Sequence, residues 1–248
     1  MRKIAIGSAG WAIPRQHRKL FQIGDSVLSR YASLFNCVEI NSSFYRPHQR
    51  STYERWASVV PPAFRFSAKF PRSISHDARL QQIGHLLDSF LGEVEGLGDK
   101  LGCLLLQLPP SFAFNARALS TFSRMVRRRS HARLCCEPRH PSWFAPDADS
   151  LLRKHSIARV ASDPAIVPAA MQPGGDRSWT YWRWHGSPQM YYSDYSLQTL
   201  AELAKTVDNA SGQSEAWIIF DNTALGHATA NAAYLRTLIA SPDERLLL

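Results

Sequence analysis

Eight short apolar runs punctuate the 248-residue chain, and nearly every one ends in a small knot of polar residues. The knots are Gly10-Trp11, Glu39-Ile40-Asn41, Lys69, Gln107, Glu137-Pro138-Arg139-His140, Asp163, Arg183-Trp184-His185-Gly186 and Asp221-Asn222-Thr223. A polar group at the end of one strand carries little information. Polar groups at the same end of eight strands describe a site assembled from distant parts of the chain, as at the C-terminal mouth of a parallel barrel.

The apolar runs cover residues 3–9, 37–41, 64–70, 103–108, 133–137, 158–162, 179–185 and 216–220. Segments of helical character fall at 27–35, 52–59, 78–96, 116–128, 147–154, 197–207 and 226–239. Over 116–128, for example, Leu119, Phe122, Met125 and Val126 recur at helical spacing. Alternation of strand and helix predicts an α/β fold with a parallel sheet. The length matches the roughly 250 residues that eight strand-helix units occupy, so the expectation is a TIM-type (β/α)8 parallel barrel, a single domain over 1–248. An open doubly wound sheet is the alternative, and it lacks a Gly-x-Gly-x-x-Gly after the first strand. The Pro- and Gly-rich stretch 163–178 reads as a long loop at the mouth.

Met1-Arg2-Lys3 followed by Ile4-Ala5-Ile6 resembles the start of a signal peptide, but Gly7-Ser8 and Pro14 break the run, and a first strand is the better reading. No apolar run approaches the roughly 18 residues that a membrane span needs, so no membrane association is expected. Cys37, Cys103, Cys135 and Cys136 all lie in apolar strand-like segments without metal-ligand spacing. They are expected to be buried free thiols in a reducing cytoplasm.

The formal net charge is +9, with 23 Arg against 6 Lys. That balance favours anionic partners: small phosphorylated metabolites, acidic polymers or nucleic acid. The only Arg run, Arg127-Arg128-Arg129, closes a helical segment, where the helix dipole favours cations in any case.

Strand phase sorts the polar residues, because residues two apart share a face. Glu39 and Asn41 share a phase, as do Glu137 and Arg139, and Arg183 and His185. Val38, Ile40, Trp182 and Trp184 occupy the other phase and suit packing against outer helices. The polar phase therefore points into the barrel near its carboxyl end.

Glu39 and Glu137 are candidate proton-transfer groups. Burial raises a carboxyl pKa and a neighbouring Arg lowers it, so Glu137 beside Arg139 and Arg183 is expected to stay ionised while Glu39 is the better donor. The competing reading is a structural ion-pair network filling the barrel. Lys69 ends its strand as an isolated cation, suited to binding an anion or pairing with Glu39, or, if desolvated, to acting as a base or Schiff-base nucleophile. His76, His140 and His185 follow strand ends and are candidates for acid/base or hydrogen-bonding work, with His140 and His185 placed in the catalytic set. Asn41, Gln107, Arg139, Arg183, Asp221 and Asn222 are candidate substrate-binding groups. Trp11, Phe44, Tyr45, Trp143, Tyr191, Tyr192 and Tyr195 crowd the same mouth, with Trp11 and Tyr45 the aromatics placed in the binding set. The histidines with Glu39, Glu137, Asp163 and Asp221 offer mixed nitrogen and oxygen ligands to a divalent metal, but no short motif such as His-Glu-x-x-His is present, and no cofactor is expected.

These segments together resemble the YecE-like family, a domain of unknown function. The resemblance runs through Gly7-Ser8-Ala9-Gly10-Trp11, Val38-Glu39-Ile40-Asn41-Ser42-Ser43-Phe44-Tyr45-Arg46, Phe64-Arg65-Phe66-Ser67-Ala68-Lys69 and Ile74-Ser75-His76. It continues through Leu106-Gln107-Leu108-Pro109-Pro110-Ser111, Glu137-Pro138-Arg139-His140-Pro141-Ser142-Trp143, Arg183-Trp184-His185-Gly186 and Phe220-Asp221-Asn222-Thr223-Ala224. It implies a TIM-type barrel and transfers no reaction. One departure is Ala12-Ile13-Pro14-Arg15, where further aromatics are common in the family.

Three functional readings follow. The first is an enzyme using acid/base chemistry on an anionic, phosphate-containing substrate at the barrel mouth. The second is a metal-dependent phosphodiesterase or nucleic-acid processing enzyme, and the third a non-catalytic protein that binds nucleic acid or a sugar phosphate.

Overall fold

A computed structural model describes residues 3–211 and 214–239; the ends of the 1–248 span, with Met1 and Arg2, lie outside the described residues. The strands are β1 (Ile4–Ser8), β2 (Cys37–Ile40), β3 (Arg65–Lys69), β4 (Leu101–Gln107), β5 (Arg133–Glu137), β6 (Ile157–Arg159), β7 (Ala161–Asp163), β8 (Gly174–Gly175), β9 (Trp179–Trp184) and β10 (Glu215–Phe220). The α-helices are α1 (Val27–Tyr31), α2 (Arg50–Ser58), α3 (Gly84–Val94), α4 (Ala116–Arg127), α5 (Pro146–Lys154), α6 (Leu197–Ser211) and α7 (His227–Ile239).

Parallel pairing runs β2-β3-β4-β5-β6 in one sheet and β1-β10-β9-β7 in the other. Two seams join them. At the first, β6 and β7 are halves of one run interrupted at Val160, whose N–H still reaches Cys136 O at 2.9 Å. At the second, Ala9 bridges Glu39 and the Gly10 N–H donates to Glu39 O at 2.8 Å. The Tyr31 hydroxyl spans this second seam, accepting from Ser8 N at 2.8 Å and donating to Cys37 O at 3.2 Å. The strands approach so closely that a Cβ on Gly7 would lie 2.1 Å from Cys37 O. The result is a closed barrel of eight parallel staves, the TIM-type architecture that the strand pattern predicts.

Alternation divides the core as strand phase requires. Val38, Ile40, Phe66, Ala68, Leu104, Leu106, Leu134, Trp182, Ile218 and Phe220 pack outward with the helices. Cys37, Cys103, Leu105, Cys135, Ala158, Val160, Tyr181, Trp217 and Ile219 form a separate cluster inside the barrel. All four cysteines are buried free thiols, Cys136 alone facing the helical layer.

Two expectations about the elements need correction. The segment 78–96 is not one helix: Arg79, Leu80 and Gln82 take positive φ, and α3 begins only at Gly84. The alternation of strand and helix also lapses between β7 and β9, where the loop carries a 3-10 turn at Pro168–Met171 instead of an α-helix. That loop is nevertheless anchored. β8 pairs antiparallel with β6, and Asp149 Oδ1 of α5 accepts from Gly175 N at 2.7 Å while facing Arg159 Nε at 3.4 Å.

Elsewhere the local code is read as written. Asn115 caps α4 by accepting from Ala118 N at 2.9 Å, and Leu119, Phe122 and Val126 are buried on one face, with Met125 beside them half-buried. The Arg run has structural work at this helix end. Arg127 donates to Ala132 O at 2.7 Å, and Arg129 pairs with Asp88 at 2.5 Å. No helix among the described residues is long and apolar enough to cross a membrane.

Candidate functional site

One hydrogen bond past the strand ends prolongs the ladder into the mouth. Phe70 N donates to Leu105 O, Leu108 N to Glu137 O, His185 N to Asp163 O, and Asp221 N to Trp184 O, all within 2.7–3.0 Å. The polar knots are thus held at the barrel rim by backbone geometry, and the inward members of five staves meet.

Arg183 is the hub. Its Nε and Nη2 grip Glu39 Oε2 and Oε1 at 3.0 and 2.7 Å, its Nη1 reaches Glu137 Oε2 at 2.5 Å, and Nη2 also reaches Asp221 Oδ2 at 2.9 Å. The Tyr181 hydroxyl, two residues back on the same face, donates to Glu39 Oε2 at 2.9 Å and lies 2.9 Å from Ser67 Oγ. Tyr181 carries no polar-knot signature, but its shared phase with Arg183 was a signal that could have found it.

His185 stands above this layer between two carboxylates, with Nδ1 2.9 Å from Asp221 Oδ2 and Nε2 2.8 Å from Glu137 Oε1. Arg139 Nη2 approaches the same edge, 2.6 Å from Glu137 Oε1 and 2.7 Å from His185 Nε2. The two contacts at Nε2 cannot both be satisfied by one tautomer. With Nδ1–H donated to Asp221, Nε2 accepts from Arg139; with Nε2–H present, it donates to Glu137. The cluster therefore holds a proton position with two hydrogen-bonding solutions.

Electrostatics follow from the cations. Burial opposes ionisation of Glu137, but Arg139, Arg183 and His185 outweigh it and hold the carboxyl well below its usual range. Asp221 is likewise lowered: burial opposes, and Arg183, His185 and Lys69 prevail. Lys69 is the outlier. It is 5% exposed, and its ammonium lies 4.1 Å over the Phe44 ring with no hydrogen-bond or ion-pair partner among the described residues. Burial, then Arg183, pull its pKa down to about 8 against the pull of Glu39, Glu137 and Asp221. The pairing of Lys69 with Glu39 is not made, because Arg183 and Tyr181 already occupy that carboxylate.

The remaining candidates separate by position. Asn41 is half-buried with Oδ1 unpartnered, and Gln107 is half-buried at the end of β4. His76 contacts Ser75 Oγ at 2.9 Å and sets its edge against Phe44, and its pKa is lowered by burial, Lys69 and Arg72. Asn222 gives its Nδ2 to Ser193 O and Asn231 Oδ1, at 3.0 and 2.8 Å, fastening the rim loop to α7.

His140 stands apart from the acidic cluster. Its Nδ1 meets Ser142 Oγ at 2.8 Å and accepts from Ser142 N at 3.2 Å, capping the 3-10 turn Pro141–Phe144. Arg183, at 1% side-chain exposure, spends its N–H groups on three carboxylates and is not placed to hold a substrate anion.

The aromatics divide as well. Trp143 is not at the mouth surface: it is fully buried and donates its indole N–H to Phe112 O at 2.8 Å. Tyr195 is an anchor, donating to Asp163 Oδ2 at 2.6 Å and accepting from Gly186 N at 2.8 Å. Trp11 packs edge-on against Trp56, while Tyr45, Tyr191 and Tyr192 remain exposed. Among the described residues no group of three or more His, Cys, Asp or Glu side chains is arranged to hold a metal ion.

The family described as "Protein of unknown function DUF72" matches residues 5–247. The chain belongs to the DUF72 family. This DUF72 chain is 32% identical to the UPF0759 protein YecE of Escherichia coli K12 over 67% of its own length, and the match spans 61% of that relative. It is 23% identical to the UPF0759 protein YunF of Bacillus subtilis, over 95% of this chain and 94% of that one. Among solved structures, a DUF72 family protein of Thermotoga maritima superposes with a TM-score of 0.79 at 23% identity, covering 96% of this chain and 99% of that one. A D-psicose 3-epimerase from Clostridium cellulolyticum superposes at 0.54 with 8% identity, covering 100% and 99% of the two chains, a likeness of fold alone. The motif resemblance read from the sequence is borne out, and with it the TIM-type fold.

Proposed function

We propose that this DUF72 chain is an enzyme that takes an anionic, phosphate-containing substrate at the C-terminal barrel mouth and moves a proton there. One observation carries the reading. Among the described residues four buried side-chain atoms lack a hydrogen-bond partner, and three of them, Asn41 Oδ1, Arg139 Nε and Asn222 Oδ1, belong to mouth residues. A buried polar atom left unpaired costs about 1–3 kcal/mol, so a ligand that supplies donors and acceptors recovers that energy on binding.

The division of roles follows from which groups are already committed. Arg183 and Glu39 neutralise one another in the barrel interior and serve as a fixed floor. Arg139 Nε and Lys69 Nζ are the donors left for the anion, with Asn41, Gln107, Asn222 and His76 able to meet neighbouring hydroxyls. His185, between Glu137 and Asp221, is the group suited to hold or pass a proton, and this arrangement favours it over Glu39. Trp11 and Tyr45 bound the same mouth and suit stacking on a sugar or base. A divalent metal is less well supported, because the three cluster carboxylates already accept from Arg183.

A calorimetric titration with inorganic phosphate and a panel of sugar phosphates tests this reading. Binding should be measurable for the wild-type chain and at least tenfold weaker for Arg139→Gln. Equal affinity in the two chains sinks the assignment of the anion site. A polymeric anion is favoured by a separate observation: the rim loops carry exposed Arg15, Arg18, Lys19 and Arg46 beside exposed Tyr45, Tyr191 and Tyr192. Single-stranded nucleic acid should then bind with an affinity that falls steeply with salt.

A further inference from the structure

We propose that Lys69 is a carbonyl-capturing amine, so that the substrate of the mouth is an aldehyde or ketone that also carries phosphate. The inference rests on the anion site proposed above and names the chemical class bound there. Four features of Lys69 support it.

The first is isolation. Lys69 lies at the end of β3 at the mouth, 5% exposed, and its ammonium has no hydrogen-bond or ion-pair partner among the described residues. Lys100 makes the contrast: its Nζ donates to Ala57 O and Val60 O, both at 2.6 Å, which is the arrangement of a structural lysine. Nothing comparable anchors the Lys69 ammonium, which lies 4.1 Å over the Phe44 ring, while the residue's carbonyl accepts from Ser43 Oγ at 2.7 Å.

The second is charge balance in the cluster beneath it. Glu39, Glu137 and Asp221 face Arg183 and Arg139, so one further proton makes the group neutral. Arg183, Arg139 and His185, the last within 2.9 Å of both Glu137 and Asp221, bond these carboxylates, and the Lys69 ammonium bonds none of them. An amine that is not needed as the neutralising cation is free to act as a nucleophile.

The third is the protonation equilibrium. Desolvation and Arg183 bring the Lys69 pKa to about 8. Roughly half of the molecules then carry the neutral amine at pH 8, against well under a hundredth for an ordinary lysine.

The fourth is the neighbourhood. His76 and Lys69 both contact Phe44, so an imidazole stands beside the amine on the same ring. The reaction balances without an oxidant or reductant. The Lys69 nitrogen lone pair forms an N–C bond as the carbonyl π bond breaks, and one N–H proton passes to the new hydroxyl. The second N–H proton then leaves with that hydroxyl as water, giving an imine. His76 is placed to relay these protons.

The test uses the full chain with glyceraldehyde 3-phosphate and sodium borohydride, followed by intact mass measurement and peptide mapping. The expected result is one adduct, mapped to Lys69 in at least tenfold excess over each of the other five lysines, and lost in Lys69→Arg. Labelling spread evenly over the lysines, or no labelling, overturns the proposal. Glycerol 3-phosphate, which has the phosphate and no carbonyl, separates the two readings. If it protects the chain from thermal unfolding and no Lys69 adduct forms, the anion site stands and the amine role falls. If non-phosphorylated glyceraldehyde labels Lys69 as fast as the phosphate ester does, the amine role stands and the phosphate reading falls.

Discussion

Arg183 and Glu39 meet in a two-point grip inside the barrel, Nε to Oε2 at 3.0 Å and Nη2 to Oε1 at 2.7 Å, with the two side chains 1% and 0% exposed. The planar guanidinium matches the carboxylate, and the geometry leaves the remaining N–H groups directed at Glu137 and Asp221. One cation from β9 thus bonds carboxylates from β2, β5 and the end of β10 at once, and Arg139 adds a second positive charge at Glu137.

Removing that cation strands buried negative charge. Arg183→Met should destabilise the protein by about 3–5 kcal/mol, the usual consequence of breaking a buried ion pair from one side. Arg183→Lys should recover little, because an ammonium cannot reproduce the fork. Urea denaturation at pH 7 measures both; a loss below about 1 kcal/mol for Arg183→Met would show that the carboxylates need no neutralisation.

The same cluster sets the acid limb of stability. Glu137 and Asp221 are held below their ordinary values of 4.5 and 3.8 in the folded state. A carboxyl with a depressed folded-state pKa contributes stability that is full above its unfolded value and lost as pH falls through the folded one. Stability should therefore be level from pH 7 to about 5 on their account and decline below about 4.5, at about 1.4 kcal/mol per pH unit for each proton taken up. Glu137→Gln should make that limb shallower in urea midpoints measured from pH 5 downward, and an unchanged slope would contradict the assignment.

Strand phase explains why so much of this cluster could be read in advance. Period-two alternation puts Glu39, Glu137, Arg183 and His185 on the inner face whatever the tertiary detail, and parallel staves bring their ends together. Pairing is another matter. Arg183 lies 144 residues from Glu39 and 46 from Glu137, and no local pattern says which carboxylate takes which N–H. His140 has a local task that no strand-end pattern announces, since His-Pro-Ser can cap its own turn and does. The start of α3 was hidden because Arg79, Leu80 and Gln82 adopt positive φ without glycine to announce it.

The barrel seam gives a sharper test of the fold. A Cβ on Gly7 would lie 2.1 Å from Cys37 O and 2.8 Å from Tyr31 Oη, so Gly7→Ala must push β1 from β2 or displace the bridging hydroxyl. The expected loss is about 1–3 kcal/mol or more. Gly92→Ala in α3 is the control: nothing lies within 4 Å of its Cβ, and the change should stabilise by about 0.5–1 kcal/mol. Thermal melts of the two variants should move in opposite directions.

Lys69 is predicted to oppose folding at neutral pH, unlike Arg183, whose charged form Glu39, Glu137 and Asp221 favour against burial. Its folded-state pKa of about 8 lies below the ordinary 10.5, because burial and Arg183 outweigh Glu39, Glu137 and Asp221. Below pH 8 the ammonium is protonated in both states, and the cost of burying it is fully present. Between pH 8 and 10.5 the unfolded chain binds more protons than the folded one, so wild-type stability rises with pH on this account. Lys69→Met should accordingly be more stable than wild type at pH 7, with an advantage that shrinks as pH rises through that window. The difference in urea midpoints at pH 7, 8, 9 and 10 measures it, and the comparison across pH cancels any change in packing that methionine brings. A constant difference, or a variant less stable at pH 7, would mean that Lys69 is held as a satisfied cation and would leave no free amine at the mouth.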